Sequence, residues 1–399
     1  MQQSNRFRVA FVLVIACAVF ATACQDALRP VDTKTQPSLK IAAVAQTVSN
    51  ASSISGGENH SCALRPDATV ACWGRGDDGQ LGDGTFATST TPVSVVGLTN
   101  VISVAAGRFH TCAILTDGTG RCWGKNSSGQ LGNGGGAGSA TPVLVSGLTG
   151  AVQISLGAYH SCARLSDGTA RCWGFNPDGE LGNGSTTNSN VPVVVSGLTT
   201  AANLEVGWFH SCAVLTDATA RCWGQGTSGE LGNGANTRST TPVVVSGLAG
   251  AVDIDGGGSH TCAVLTDGSA LCWGNNVSGQ VGDGSTTNRS VPVNVRKLRG
   301  ATSIVAGGAQ SCAVISAGAE RCWGANTFGQ LGNGSMTSSS VPVAVSGITT
   351  GSQIAAGGNH SCTLLADATA RCWGWNFSGQ LGDGTFNART TPVQVVNFP

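Results

Sequence analysis

From residue 51 onward the chain repeats itself every fifty residues without drift, and no other feature limits its fold so tightly. Clean copies read HTCAILTDGTGRCWG from His110 and HSCARLSDGTARCWG from His160. Cysteines recur in pairs ten residues apart: Cys62/Cys72, Cys112/Cys122, Cys162/Cys172, Cys212/Cys222, Cys262/Cys272, Cys312/Cys322 and Cys362/Cys372. A unit of this length buries little by itself, so seven of them must stack as a propeller or a solenoid.

Each unit divides into four short strands. In the second unit these are VISVAA, HTCAIL, TGRCW and TPVLV, and the connecting stretches are rich in Gly, Asn and Ser. The chain has 59 glycines, and only 11% of its residues are charged. That composition suits an all-β protein with many turns. Between the second and third strands, Thr116-Asp117-Gly118 forms a three-residue hairpin loop whose last residue should be left-handed, a conformation glycine adopts freely. The loop then sets Cys112 opposite Cys122 as a non-hydrogen-bonded pair, with Cα atoms about 4.5 Å apart. A disulfide can close over that distance. Ala68, Ala218 and Ala368 replace the glycine in three units, which strains the same register.

Zinc is a poor alternative for these cysteines, because Cys-x9-Cys matches no common finger spacing. Catalysis by the motif is equally poor. His110 and Thr111 are strand neighbours on opposite faces, and the disulfide consumes the sulfur that shares the histidine's face. We read His60, His110, His160, His210, His260 and His360 as structural, with Gln310 in their place once, and the recurring Arg121, Arg171, Arg221, Arg321 and Arg371 likewise. No catalytic residue, metal or cofactor is assigned. Lys plus Arg equals Asp plus Glu at 21 each, which argues against a nucleic-acid partner.

The first residues differ in kind. Arg6 and Arg8 precede an apolar run, Val9–Phe20, that ends in Ala21-Thr22-Ala23-Cys24. Residues 1–23 read as a signal peptide, too short in its apolar part to span a membrane comfortably. Cys24 after small residues resembles a bacterial lipobox, making Cys24 the lipidated mature N-terminus. Ala-Thr-Ala also suits an ordinary secretory peptidase, which would release the chain freely. Residues 24–50 serve as an anchor and tether reaching roughly 25–30 Å, and residues 51–399 are the folded body. Export to the cell envelope or surface meets an oxidising compartment, consistent with a staple in every unit.

GRFHTCAILTDGTGRCWGKNSSGQLGNG closely resembles the repeat of the regulator of chromosome condensation family. The resemblance covers all seven units and implies a seven-bladed β-propeller. It makes Gly-Gln-Leu-Gly-Asn-Gly a bend between strands three and four. The acid in that bend is Asp83, Asp283 and Asp383, but it is Asn133, Asn183, Asn233 and Asn333 elsewhere, so calcium is not expected. If each blade takes its fourth strand from the preceding unit, Thr391–Val396 completes the first blade. A weak strand copy at Ile41–Ala45 competes for that seat. Family founders are nuclear exchange factors for a small GTPase. Export and a strict period that leaves no room for an inserted wedge set this chain apart from them. A secreted family member that inhibits β-lactamases is the nearer functional analogue.

What fails to repeat should carry function. The loops between strands one and two and between strands three and four open on one face. There the chain places Arg108, Phe109, Tyr159, Trp208 and Phe209, then Phe175, Phe328, Trp375 and Phe377. Aromatic residues and arginine dominate protein interfaces. The expectation is a non-enzymatic, monomeric binding module with a protein or glycan ligand on this face, touching membrane only through its lipid. Exchange-factor activity and enzyme inhibition are the alternatives. Arg75-Gly76-Asp77 spells an adhesion tripeptide, which we read as chance.

Overall fold

The computed structural model describes residues 53–398. Cys24, the signal segment, the residue 24–50 tether and the strand copy at Ile41–Ala45 lie outside the described residues. The described chain is a seven-bladed propeller, each blade a four-stranded antiparallel sheet. Blade two, for example, comprises Val101–Ala106, His110–Leu115, Gly120–Gly124 and Ser139–Leu144. First strands pack side by side around the axis, and the first strand of the seventh unit, Gly351–Ala356, closes the ring against Ser53–Gly56.

The expected exchange of fourth strands does not occur. Arg389–Gln394 pairs with Ala370–Gly374 of its own unit, and the first blade takes Ser89–Ser94 from its own unit. Closure therefore comes from seams between complete blades. At the loop end of the first strands, backbone amides donate to the next blade all around the ring. Glu58 N donates to Gly107 O (3.2 Å), and Gly358 N donates to Gly57 O (3.1 Å), which joins the last blade to the first. A Cβ at Gly57 would sit 2.4 Å from Gly107 O and 2.5 Å from the His60 ring, so this approach demands glycine in every unit.

The histidine motif explains itself at these seams. His110 Nε2 lies 2.8 Å from Ser161 Oγ of the next blade, and the Ser161 hydroxyl donates to Gln130 O at 2.9 Å. Since the hydroxyl proton is spent on that carbonyl, His110 must be the donor through Nε2. Its Nδ1 then has no proton and no partner. Six seams repeat this arrangement, ending with His360 to Ser61 at 2.8 Å. At the seam with Gln310, the amide instead reaches Gly357 O at 3.0 Å. The tryptophan after each unit's second cysteine crosses too: Trp123 Nε1 donates to Gln80 O at 2.9 Å.

Each seam encloses its own apolar cluster. Between blades one and two it contains Cys62, Cys72, Leu81, Val95, Val104 and Trp123. Every disulfide joins two cysteines of one unit, directly opposite each other on strands two and three. Cys62 bonds Cys72, Cys112 bonds Cys122, Cys162 bonds Cys172 and Cys212 bonds Cys222. Cys262 bonds Cys272, Cys312 bonds Cys322 and Cys362 bonds Cys372. The Cα atoms of the Cys112 pair are 4.1 Å apart, slightly closer than the roughly 4.5 Å expected of an unlinked pair in this register.

The hairpin turn behaves as its chemistry requires: Gly118 has φ 74°, and Ala68, Ala218 and Ala368 are held left-handed at 61°, 62° and 66°. The outermost strands expose an edge. Each carries a proline, as Pro142 does, which removes a donor that another chain could pair with.

Candidate functional site

The repeated polar set offers no accessible chemistry. All six histidines are buried, and burial holds their pKa near 3 to 4, so they remain neutral. The His–Ser and His–Thr contacts cross between units, a pairing the sequence within one unit could not reveal. Their enclosure makes them struts. The cysteines are closed off in the same way. Cys72, Cys122, Cys172, Cys222, Cys272, Cys322 and Cys372 are fully buried along with their partners, and each sulfur is held in a disulfide. None of them is a ligand-facing residue; they staple the blades and belong to the scaffold.

The two sets of loops share a face, as Arg75 N donating to Asn59 O at 2.9 Å confirms. On it the predicted aromatics form two groups. Phe109, Tyr159, Phe175 and Phe209 make one connected patch across blades two to four, with ring centroids 5.3 Å (Phe109–Tyr159), 5.9 Å (Tyr159–Phe175) and 6.2 Å (Phe175–Phe209) apart. Phe328, Trp375 and Phe377 make the other across blades six and seven, at 4.1 and 4.2 Å. Phe377 is 63% exposed. Phe109 itself is buried, because three cations cover it. The Arg108 guanidinium is 5.0 Å, the Lys125 ammonium 4.8 Å and the Arg75 guanidinium 5.5 Å from its ring centre. Phe109 is therefore a base for the surface rather than a contact within it.

Trp208 reaches from blade four over blades five and six. A Cβ built on Gly258 or Gly308 would lie 3.4 or 3.2 Å from its ring, and the Arg108 guanidinium is 5.1 Å from it. The indole thus lies across the loop end of the axis, where the glycines of blades five and six leave room. Here the backbone ring shifts by one residue: Ala158 N donates to Trp208 O rather than to Gly207 O. Arg108 is fixed by Glu58 Oε2 at 2.7 Å. Arg75 is paired with Asp77 and with Asp78, so the charges of the adhesion-like tripeptide are spent on each other.

A second polar group gathers around Asp253 and Asp255, acids that break the repeat, and its other members, Gln153, Ser155, Asn203 and Glu205, escaped the sequence reading. Gln153 donates to Asn203 Oδ1 (2.6 Å) and Glu205 Oε1 (2.9 Å), and Ser155 donates to Glu205 Oε2 (2.7 Å). Asn203 donates to Asp253 Oδ1 at 3.2 Å. Burial raises the pKa of Glu205, Asp253 and Asp255, Asp253 to about 6. Comparing first strands column by column marks Gln153, Asn203 and Glu205 as departures from Ser and Ala. Backbone amides take up much of the acids' capacity, Ala306 N donating to Asp255 Oδ2 at 2.7 Å. The group reads as a polar splice between inner strands.

A family model described as the RCC1-like domain matches residues 21–262. The chain belongs to the RCC1-like domain family. Models of the regulator of chromosome condensation (RCC1) repeat match residues 267–314 and 322–364, and a second such model matches 251–280 and 352–380. No curated protein matches the sequence. Among solved structures, yeast RCC1 (Prp20) bound to Kap60 is similar at TM-score 0.74 and 22% identity, over 82% of this chain and 83% of that one. Prp20p from Saccharomyces cerevisiae, studied for its binding to Gsp1p and histones, is similar at 0.72 and 21%, over 85% and 86%. Human WBSCR16 is similar at 0.74 and 22%, over 82% and 94%. At these identities the likeness is one of fold.

Proposed function

We propose that this RCC1-like propeller is a non-enzymatic, monomeric scaffold that binds a protein on its loop face, outside the cytoplasm. One observation carries the reading: the side chains that no seam requires gather on this face as aromatic rings and cations. That composition is typical of interface centres. Seven disulfides belong in an oxidising compartment. Residues 1–23 act as the export signal and Cys24 as a lipid anchor of bacterial type in the same proposal. Palmitate labelling that survives Cys24→Ala would remove the anchor. RCC1-like propellers bind proteins, as the Kap60 complex of yeast RCC1 illustrates. An exchange activity would rest on fold analogy alone.

A photo-crosslinking residue at Phe377 tests the face against Val244, which is 55% exposed on an outer strand. The reading expects a discrete crosslinked partner from position 377 and none from 244. The same partner from both, or one from 244 alone, would move the site off the loop face.

A further inference from the structure

The links that carry each blade's fourth strand into the next blade run along the opposite face, beside the hairpin turns. Thr116 N donates to Asn100 O at 2.9 Å, and Ser316 N to Gly300 O at 2.8 Å. Those links read Val-Gly-Leu-Thr from Val96, then Ser-Gly-Leu-Thr, Ser-Gly-Leu-Thr, Ser-Gly-Leu-Ala and, from Ser346, Ser-Gly-Ile-Thr. The link between blades five and six is the exception: Arg296-Lys297-Leu298-Arg299. It places three cations within four residues of a chain that is neutral as a whole and sparsely charged.

Backbone geometry argues that these cations are not incidental. Gly97, Gly147, Gly197, Gly247 and Gly347 adopt φ between 64° and 70°, and Lys297 is held in the same left-handed region at 60°. A side chain there is strained. Packing does not compensate, because a Cβ built on any of those five glycines meets nothing within 4 Å. Lys297 therefore accepts backbone strain and projects into solvent, the kind of outlier from which a functional role is inferred. Leu298 is buried like its counterparts, while Arg296, Lys297 and Arg299 are exposed. Among the described residues, none of the three forms an ion pair.

Surrounding charge has shifted in the same direction. Six hairpin turns carry an aspartate (Asp67, Asp117, Asp167, Asp217, Asp267 and Asp367), and the seventh has Ala317. That turn is the one hydrogen-bonded to the basic link through Ser316 and Gly300. Asp267, in the turn of blade five, is occupied by Ser269 N at 2.8 Å and Ser269 Oγ at 2.6 Å. Between link and turn lies a concavity of about 720 Å³, lined by residues 294–299 with Ser269 and Ala270. Arg296, Lys297 and Arg299 all line this open hollow, and guanidinium and ammonium groups suit the oxygens of a phosphate group.

The position of the first strand bears on the source of that phosphate. Ser53 pairs with Leu64, next to the turn that follows strand two, so the chain joins the first blade on this same face. A lipid at Cys24, as proposed above, would tether the body through this end of the first strand, on the side that carries the basic link. We propose that Arg296, Lys297 and Arg299 form a phosphate-binding patch through which the turn face rests on the anionic headgroups of a membrane. The proposal rests on the export and lipidation proposed for Cys24, and is independent of which ligand the loop face takes.

The test compares the full chain carrying Cys24→Ser with the same chain carrying Arg296→Ser, Lys297→Gly and Arg299→Thr. These residues restore the link's own repeat, so folding is not at risk, and the Lys297→Gly change relieves strain. Sedimentation uses vesicles of phosphatidylglycerol with phosphatidylcholine, and vesicles of phosphatidylcholine alone, at low salt. The expected result is partitioning to the anionic vesicles that weakens on the order of 100-fold in the triple variant and fades with added salt. Melting temperature should be unchanged or higher. Equal partitioning to both vesicle types, or anionic binding that survives the triple change, overturns the proposal. A third arm titrates inorganic pyrophosphate without vesicles. Saturable pyrophosphate binding with no preference for anionic vesicles would assign the patch to a soluble phosphate and overturn its membrane role.

Discussion

Between blades, the same groups meet at seam after seam: a tryptophan on a backbone carbonyl, a hydroxyl on the same carbonyl, a histidine on the hydroxyl, and a disulfide in the apolar cluster. On the loop face, no two blades carry the same pair of residues ahead of strand two. The contrast shows how the labour is divided. A seam tolerates few residues because four groups must satisfy one another in a space closed to water. A loop tip has no such constraint once its backbone bonds are made, so its side chains are free to answer to a ligand.

Breaking the seams should therefore be costly wherever it is done, beginning with the staples. Each ten-residue disulfide loop contributes about 2–3 kcal/mol by closure entropy. Seven together exceed the roughly 5–15 kcal/mol by which a typical domain is stable. Reduction should unfold the propeller, and circular dichroism with and without reductant checks this. Retention of the full β signal at room temperature after complete reduction would contradict it.

One seam departs from the rule and sharpens the comparison. Glu320 stands where other blades have Ala, Gly or Val, and it is buried between blades six and seven, accepting a bond from Thr363. Thr363 replaces Ala and Gly351 replaces Val or Ala, so two neighbouring positions accommodate the carboxyl; a Cβ on Gly351 would strike Glu320. Burial raises Glu320 to about 8. Its carboxyl stays protonated in the fold while the unfolded chain ionises above about 4.5, so stability is full below that value and declines as pH rises towards 8. Glu320→Gln should flatten this decline by on the order of 3–5 kcal/mol at pH 8, as read from denaturant melts at pH 5 and pH 8. Glu180, raised to about 7 by burial, acts in the same direction and is left in place by that variant.

Smaller effects follow from single groups. His110→Ala leaves a cavity and removes the donor to Ser161, at a cost of about 2–3 kcal/mol. His110→Gln, the residue one blade already uses, should cost less than half of that. Equal losses in the two melts would show that imidazole shape, rather than the bond across the seam, is what matters. Glycine at Ala68, Ala218 or Ala368 should each raise stability by about 1 kcal/mol by relieving the left-handed alanine. No gain in melting temperature would mean that the turn is not strained.

Much of the fold was legible because its determinants are local. Cys112 faces Cys122 through a hairpin whose register is set by three residues, and the period supplied the remaining blades, down to Cys362 and Cys372. Ring closure was not legible, since consecutive units offer equivalent fourth strands and sequence cannot say which blade takes which. On the face, the aromatics of blades two to four do gather. Phe109 nevertheless lies beneath Arg75, Arg108 and Lys125, which reach it from separate loops, a convergence invisible along the chain. Glu205 and the Arg296–Arg299 link were missed for a different reason. They depart from the repeat within a strand and a link, and only column-by-column comparison of the units exposes them.

The central claim is that the scaffold is common to all blades and the binding surface is not. It is tested most directly by replacing rim residues with those another blade carries: Tyr159→Ser, Phe175→Asn, Trp208→Gly and Phe209→Ser, after Ser259, Asn275, Gly258 and Ser259. The measurement is quantitative capture of partners from extracytoplasmic material by the unaltered chain and the variant, at matched melting temperature. A defined protein should be retained by the unaltered chain and depleted at least roughly tenfold by the variant, with the disulfides and the fold intact. Equal capture by both would contradict it.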